Sequence, residues 1–204
     1  MTIEKIYPSG FGANSYLLTK DGKSAIVIDP SSPKVMQKLT ERGLTAEYVL
    51  LTHCHFDHVE GAGTLQNAGA KVLCSAKEKE LVGTSADLFD AFGAPRAVYR
   101  VDDTFSDMET KTLCGIKVTA IFTPGHTAGS CCYLIEDKDG KPYLFTGDTL
   151  FAGSIGRTDF PTGSGAQMSQ SLARLKALKG DMPVYAGHEE DTTLETERTT
   201  NPFM

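Results

Sequence analysis

Four residues able to ligate a metal, His53, His55, Asp57 and His58, fall within Thr52-His53-Cys54-His55-Phe56-Asp57-His58, directly after the apolar run Val49-Leu50-Leu51. So dense a cluster constrains the fold more than composition does, because a strand must end there and deliver several side chains to a common point. In extended chain alternate residues share a side, so His53, His55 and Asp57 are expected to project together. His58 is out of that phase, and a sharp turn after Asp57 brings it to a second, neighbouring centre. Four donors so close exceed what one tetrahedral ion shares with ligands from elsewhere, and two ions are the natural solution.

The other candidate ligands repeat one pattern. His126 lies in Thr123-Pro124-Gly125-His126-Thr127, Asp148 in Thr146-Gly147-Asp148-Thr149 and His188 in Gly187-His188, each just beyond an apolar run and each preceded by glycine, which lets the backbone turn tightly. A lone histidine or a lone turn aspartate means little. Here all five histidines of the chain sit in such strand-end positions.

Apolar runs bounded by turn residues, at 13–19, 24–28, 48–51, 71–74, 117–122, 131–135, 143–145 and 184–186, read as strands. Ser32-Pro33 suits a helix start, with serine as N-cap and Val35, Met36 and Leu39 following. A second helix is expected over 166–178, with Met168, Leu172, Leu175 and Leu178 on one face and Gly180 as its stop. Asp137-Lys138-Asp139-Gly140 reads as a hairpin turn, so part of the sheet is antiparallel. Residues 83–103 are weakly patterned, and a long loop or short helices flanking a substrate are expected there.

The 204 residues suit one domain, 1–204, and no stretch approaches the roughly 20 apolar residues of a membrane helix. The amino terminus lacks a signal-peptide pattern, so a soluble, cytoplasmic protein is expected. Five cysteines without framework spacing imply reduced thiols. A formal charge of −6 with scattered Lys and Arg disfavours nucleic acid as a partner. Composition says nothing about oligomeric state.

The run Thr-His-x-His-x-Asp-His at 52–58, with the distant His126, Asp148 and His188, resembles the metallo-β-lactamase superfamily, and Val27-Ile28-Asp29-Pro30 resembles that family's early strand-end aspartate. The resemblance implies an α/β fold, an αββα sandwich of two mixed sheets face to face with helices outside and the site at one edge. It also implies that His53, His55 and His126 hold one ion, that Asp57, His58 and His188 hold the other, and that Asp148 bridges them. Asp29 and Thr52 are candidates to hold the far nitrogens of the ligating histidines.

Within the superfamily the chain looks most like glyoxalase II-like hydrolases, through Asn14-Ser15-Tyr16, Gly147 to Phe151, Gly156 to Pro161, Thr192 to Glu195 and Asn201-Pro202-Phe203. This implies two divalent ions, zinc first with iron or manganese as alternatives, and a glutathione thioester as substrate. Asp57 then orients the attacking water, and Arg157 either contacts the glutathione part or braces Asp159. The longer glyoxalase II type continues into a helical carboxy-terminal domain, whereas this sequence ends soon after its last expected helix. A rival on the same fold is a persulfide dioxygenase holding one iron through His53, His126 and Asp148, since that family shares Thr52 to His55 and Gly156 to Phe160. Flavodiiron relatives are set aside because they usually have Glu where His55 stands. Cys54 is expected to be packed away from the ligands.

Overall fold

In a computed structural model, which describes residues 1–8, 10 and 12–204, the apolar runs pair into two six-stranded sheets. The first holds β1 (Thr2–Ile6), β2 (Ser15–Thr19), β3 (Ser24–Ile28), β4 (Thr45–Leu50), β5 (Lys71–Ser75) and β6 (Asp103–Phe105) in that spatial order. β1 to β3 are antiparallel, and β3 to β6 are parallel. The second holds β7 (Thr110–Leu113), β8 (Ile116–Phe122), β9 (Cys131–Glu136), β10 (Pro142–Gly147), β11 (Pro183–Ala186) and β12 (Thr192–Thr193) in the order β12-β11-β10-β9-β8-β7. It is antiparallel except between β10 and β11.

Burial follows the two-residue period of the strands. Ile26 and Ile28 of β3 face Tyr133, Phe145 and Val118 of the other sheet, whereas Ala25 and Val27 pack on Val35 and Leu39 of α1 (Lys34–Arg42). The outer face of the second sheet, with Ile121, Leu144 and Val184, is covered by Met168, Leu172 and Leu175 of α6 (Gly165–Lys176) and by Leu194 of α7 (Leu194–Thr200). Each such fully buried aliphatic side chain stabilises the fold by about 1.5–3 kcal/mol. Four shorter helices, α2 (Phe56–Val59), α3 (Ala62–Asn67), α4 (Ala76–Lys79) and α5 (Phe89–Phe92), fill the connections of the first half. The architecture is the αββα sandwich expected from the sequence.

Several local expectations need correction. Pro33, not Ser32, caps α1, and no side chain completes the cap. The second helix is Gly165–Lys176, with the Ser164 side chain accepting from Gln167 N–H. It ends at Ala177 rather than at Gly180, and Leu178 lies beyond it. Residues 13–14 precede β2, and β4 begins at Thr45 and stops before Leu51. Strands β1, β6, β7 and β12 are additional; their polar residues face solvent at or near sheet edges, so their alternation is faint. The Asp137 turn is as expected: its side chain accepts from Asp139 and Lys141 N–H, and β9 pairs antiparallel with β10. Residues 83–103 contain a 3₁₀ turn at Ser85–Asp87 and α5, are otherwise irregular to 102, and open β6 at Asp103. Among the described residues no helix is long and apolar enough to cross a membrane.

Topology positions the site. β8 and β10 both run antiparallel to β9, and β11 runs parallel to β10, so these three strands end at one edge. His126, Asp148 and His188 follow those three ends, and the histidine run follows β4 of the facing sheet.

Candidate metal centre

Seven side chains meet at that edge. His53, His55 and His126 form one group, His53, His58 and Asp148 a second, and Asp57, His58 and His188 a third, with donor atoms inside each group within 4.8 Å of one another. His53 and His55 share a side, their rings 4.6 Å apart. The alternation stops there. His55 is the N-cap of α2 in extended conformation, so Asp57 and His58 are delivered from a helical turn, not from a continuing strand. The turn comes before Asp57, one step earlier than the sequence suggested. Cys54 is buried and joins none of the donor groups among the described residues.

The backs of the imidazoles fix which nitrogen each presents. Thr52 donates its only hydroxyl proton to Asp29 Oδ2 at 2.6 Å, so at 3.1 Å it accepts from His53 Nδ1. His58 Nδ1 lies 3.0 Å from the same carboxylate oxygen, and His126 Nδ1 lies 2.7 Å from the Arg157 carbonyl, which only accepts. All three rings therefore carry a proton on Nδ1 and point Nε2 at the centre. His53 Nε2, His58 Nε2 and Asp148 Oδ1 are buried without a hydrogen-bond partner. Orphaned buried acceptors are costly, and an acceptor-only cluster of this kind suits cations.

Electrostatics agree with that demand. Burial, reinforced by neighbouring imidazoles, holds His53 well below the ordinary histidine range and His55 down at about 3, so both are neutral lone-pair donors. Burial also disfavours a charged His58, but Asp148, Asp57 and Asp29 outweigh it and raise its pKa. Asp148 is held well below the usual carboxylate range, against its burial, by His58 and His126. Its Oδ1 is 3.2 Å from His58 Nε2, and its Oδ2 is 3.4 Å from His126 Nε2 and 3.6 Å from His188 Nε2. Asp57 Oδ2 is 3.2 Å from His188 Nε2.

Two glycines make the convergence possible. Gly147 has φ +48°, and a Cβ there would strike the Thr52 side chain. At Gly187 a Cβ would meet Asp148 Oδ1 and come within 2.8 Å of His58 Cε1. Gly187→Ala is expected to cost about 1–3 kcal/mol through overpacking, read as a lower midpoint in thermal denaturation; an unchanged midpoint would show that the loop has room to yield.

The family profile described as Metallo-beta-lactamase superfamily matches residues 8–188. The chain belongs to that superfamily. It is 35% identical to hydroxyacylglutathione hydrolase GloC of Haemophilus influenzae over 211 residues, covering 100% of this chain and 98% of that protein. The crystal structure of BLEG-1 B3 metallo-β-lactamase matches with TM-score 0.89 at 28% identity over 99% of both chains. That of TTHA1623 in a di-iron-bound form matches with TM-score 0.82 at 30% identity, over 98% of this chain and 100% of that one. This is a metallo-hydrolase of the superfamily, and its His and Asp groups suit divalent ions.

Asp29 and Thr52 lie behind His53 and His58. Asp29 holds φ +47° and accepts from Thr52 N–H at 2.8 Å, tying the end of β3 to the histidine run. Asn14 and Tyr16 turn out to anchor the His188 loop: Asn14 Nδ2 donates to the Ala186 carbonyl at 3.1 Å and the Tyr16 hydroxyl to the same oxygen at 2.7 Å. Sequence reasoning missed Glu78. Fully buried, it accepts from Cys54 N–H at 2.8 Å and from the Thr127 hydroxyl at 2.7 Å, joining the loop of His53 and His55 to the loop of His126. Burial raises its pKa, and the hydrogen bonds from Thr127 and Cys54 only partly oppose this. Arg157 makes two 2.6 Å bonds to Asp159, so the bracing alternative describes its side chain. Its backbone carbonyl, rather than its guanidinium, touches a histidine of the cluster.

Proposed function

We propose that this protein hydrolyses a glutathione-type thioester resembling S-lactoylglutathione. In this reading His53, His55 and His126 hold one divalent ion, Asp57, His58 and His188 hold a second, and Asp148 lies between them. The observation that carries it is the convergence of seven donors around orphaned buried atoms of His53, His58 and Asp148. Similarity to GloC along the whole chain supports the choice of a thioester. Zinc is the first expectation, and the di-iron form of TTHA1623 keeps iron in the test.

Ions bound there would supply Lewis acidity toward a carbonyl and bring the pKa of a water near 7, as a rough value. The chain's own residues provide the rest. Neutral His53 and His55 keep their lone pairs at neutral pH. Asp57, on the cavity wall beside His188, orients the attacking water and accepts its proton. The departing thiol, with a pKa of roughly 8.5, leaves as thiolate without a dedicated acid. That fits a site whose histidines are all committed to the cluster.

The test is an assay of zinc-loaded and iron-loaded protein with S-lactoylglutathione and with glutathione persulfide, following thioester loss and oxygen uptake together. The expected result is thioester loss that disappears on chelation and returns on reloading. Oxygen uptake without thioester loss assigns the iron dioxygenase chemistry instead, and full turnover after metal removal overturns the reading.

A further inference from the structure

The cavity beside the cluster, about 480 Å³, opens onto Asp57, His126 and His188 and is otherwise largely aromatic. Phe56 and Phe92 stack with centroids 5.0 Å apart, Phe92 meets Phe160 edge-on at 5.9 Å, and Phe160 meets His55 at 5.8 Å. A continuous run of rings thus leads from α5 to an imidazole of the centre. Its outer member lacks full cover: Phe92 is 56% exposed. Apolar surface on the wall of a cavity gains from a ligand that removes it from water.

The wall suits the more polar half of the proposed substrate poorly. Glutathione carries two carboxylates, which need cationic or N–H donors. Among the described lining residues Arg157 is the one permanent cation, and Asp159 already holds it at two points while it lies 3.9 Å above the Phe160 ring. The other charged lining groups, Asp57 and Asp148, are carboxylates of the cluster. Phe56, Leu88, Phe92, Phe151 and Phe160 offer no side-chain polar atom to a 2-hydroxyl either.

We infer that the acyl group, not the thiol, lies against this wall, and that the preferred acyl group is apolar and of aromatic size. The inference rests on the thioester reading above. It names the specificity of that same site, with Phe92 as a determinant contributed by the weakly patterned 83–103 segment.

S-lactoylglutathione and S-mandeloylglutathione test it, because they differ only in a methyl group replaced by a phenyl ring. The ratio of their kcat/KM values, each corrected for the thioester's hydroxide hydrolysis rate in buffer, is expected to favour mandeloyl by about tenfold or more. Phe92→Ala, at an exposed position, is expected to lower that ratio by about fivefold or more. Because the ratio is taken within one preparation, loss of folded or metal-loaded protein does not move it. A wild-type ratio at or below unity overturns the inference while thioester hydrolysis stands. A high ratio that survives Phe92→Ala overturns the assignment to this wall. Turnover of neither thioester removes the hydrolase reading, and this one with it.

Discussion

Asp148→Ala is expected to lower the metal content of dialysed protein from about two ions per chain to below one, and kcat/KM for the thioester by more than about a hundredfold. The reason is position. Asp148 is the carboxylate that approaches His58, His126 and His188 together, at 3.2, 3.4 and 3.6 Å, so its loss removes a donor from both proposed ion positions. Loss of an outer partner of a metal ligand costs about 10–100-fold, and a shared inner donor should exceed that range. Asp148→Asn keeps the shape and removes the charge, so it separates filling of the space from charge balance among the five imidazoles. Elemental analysis after dialysis, paired with thioester kinetics, decides the matter. An alanine variant with undiminished metal content would remove Asp148 from between the two ions.

Much of this centre could be read in the chain because its donors are tied to strand ends. The ladder of β8, β9, β10 and β11 brings three separate sequence positions to one edge, β4 of the facing sheet brings the fourth, and the apolar runs that build those strands are easy to see. The identity of the donors was therefore legible before their geometry. The path from His55 to His58 was not, since α2 is a single turn and gives no helical period to detect. Glu78 was hidden for a different reason. Lys77-Glu78-Lys79-Glu80 reads as a solvated charged stretch, and only the fold shows that one of its four side chains points inward. Edge strands such as β7 were missed because Thr110-Lys111-Thr112 is polar throughout, while the Cys114-Gly115 turn that follows, with both φ values positive, is a hairpin signal that could have found it. The aromatic wall likewise draws Phe56, Phe92 and Phe160 from three distant segments with no common spacing.

Glu78→Ala is expected to weaken both the fold and the three-histidine group. The Cys54 amide loses its acceptor inside the protein, and an unsatisfied buried donor costs about 1–3 kcal/mol before any cavity cost is added. The Thr127 hydroxyl suffers less, because Ser130 Oγ remains 2.7 Å away. For a chain of this size each kcal/mol corresponds to about 2–4 °C, so a midpoint lower by about 5–10 °C is expected in metal-free protein. The metal effect follows from the same contacts: without Glu78 the loop of His53 and His55 loses its link through Cys54 N–H to Thr127 of the His126 loop, and affinity in a chelator competition should fall about 10–100-fold. Glu78→Gln discriminates the clamp from the charge. Its amide oxygen can still accept from Cys54 N–H, and its NH₂ can donate to Thr127 once that hydroxyl turns to Ser130. Near-native midpoint and affinity in the glutamine variant, with loss of both in the alanine variant, are expected of a neutral hydrogen-bonding clamp. Equal loss in both variants would mean that the buried charge, not the pair of hydrogen bonds, holds the two histidine loops in register.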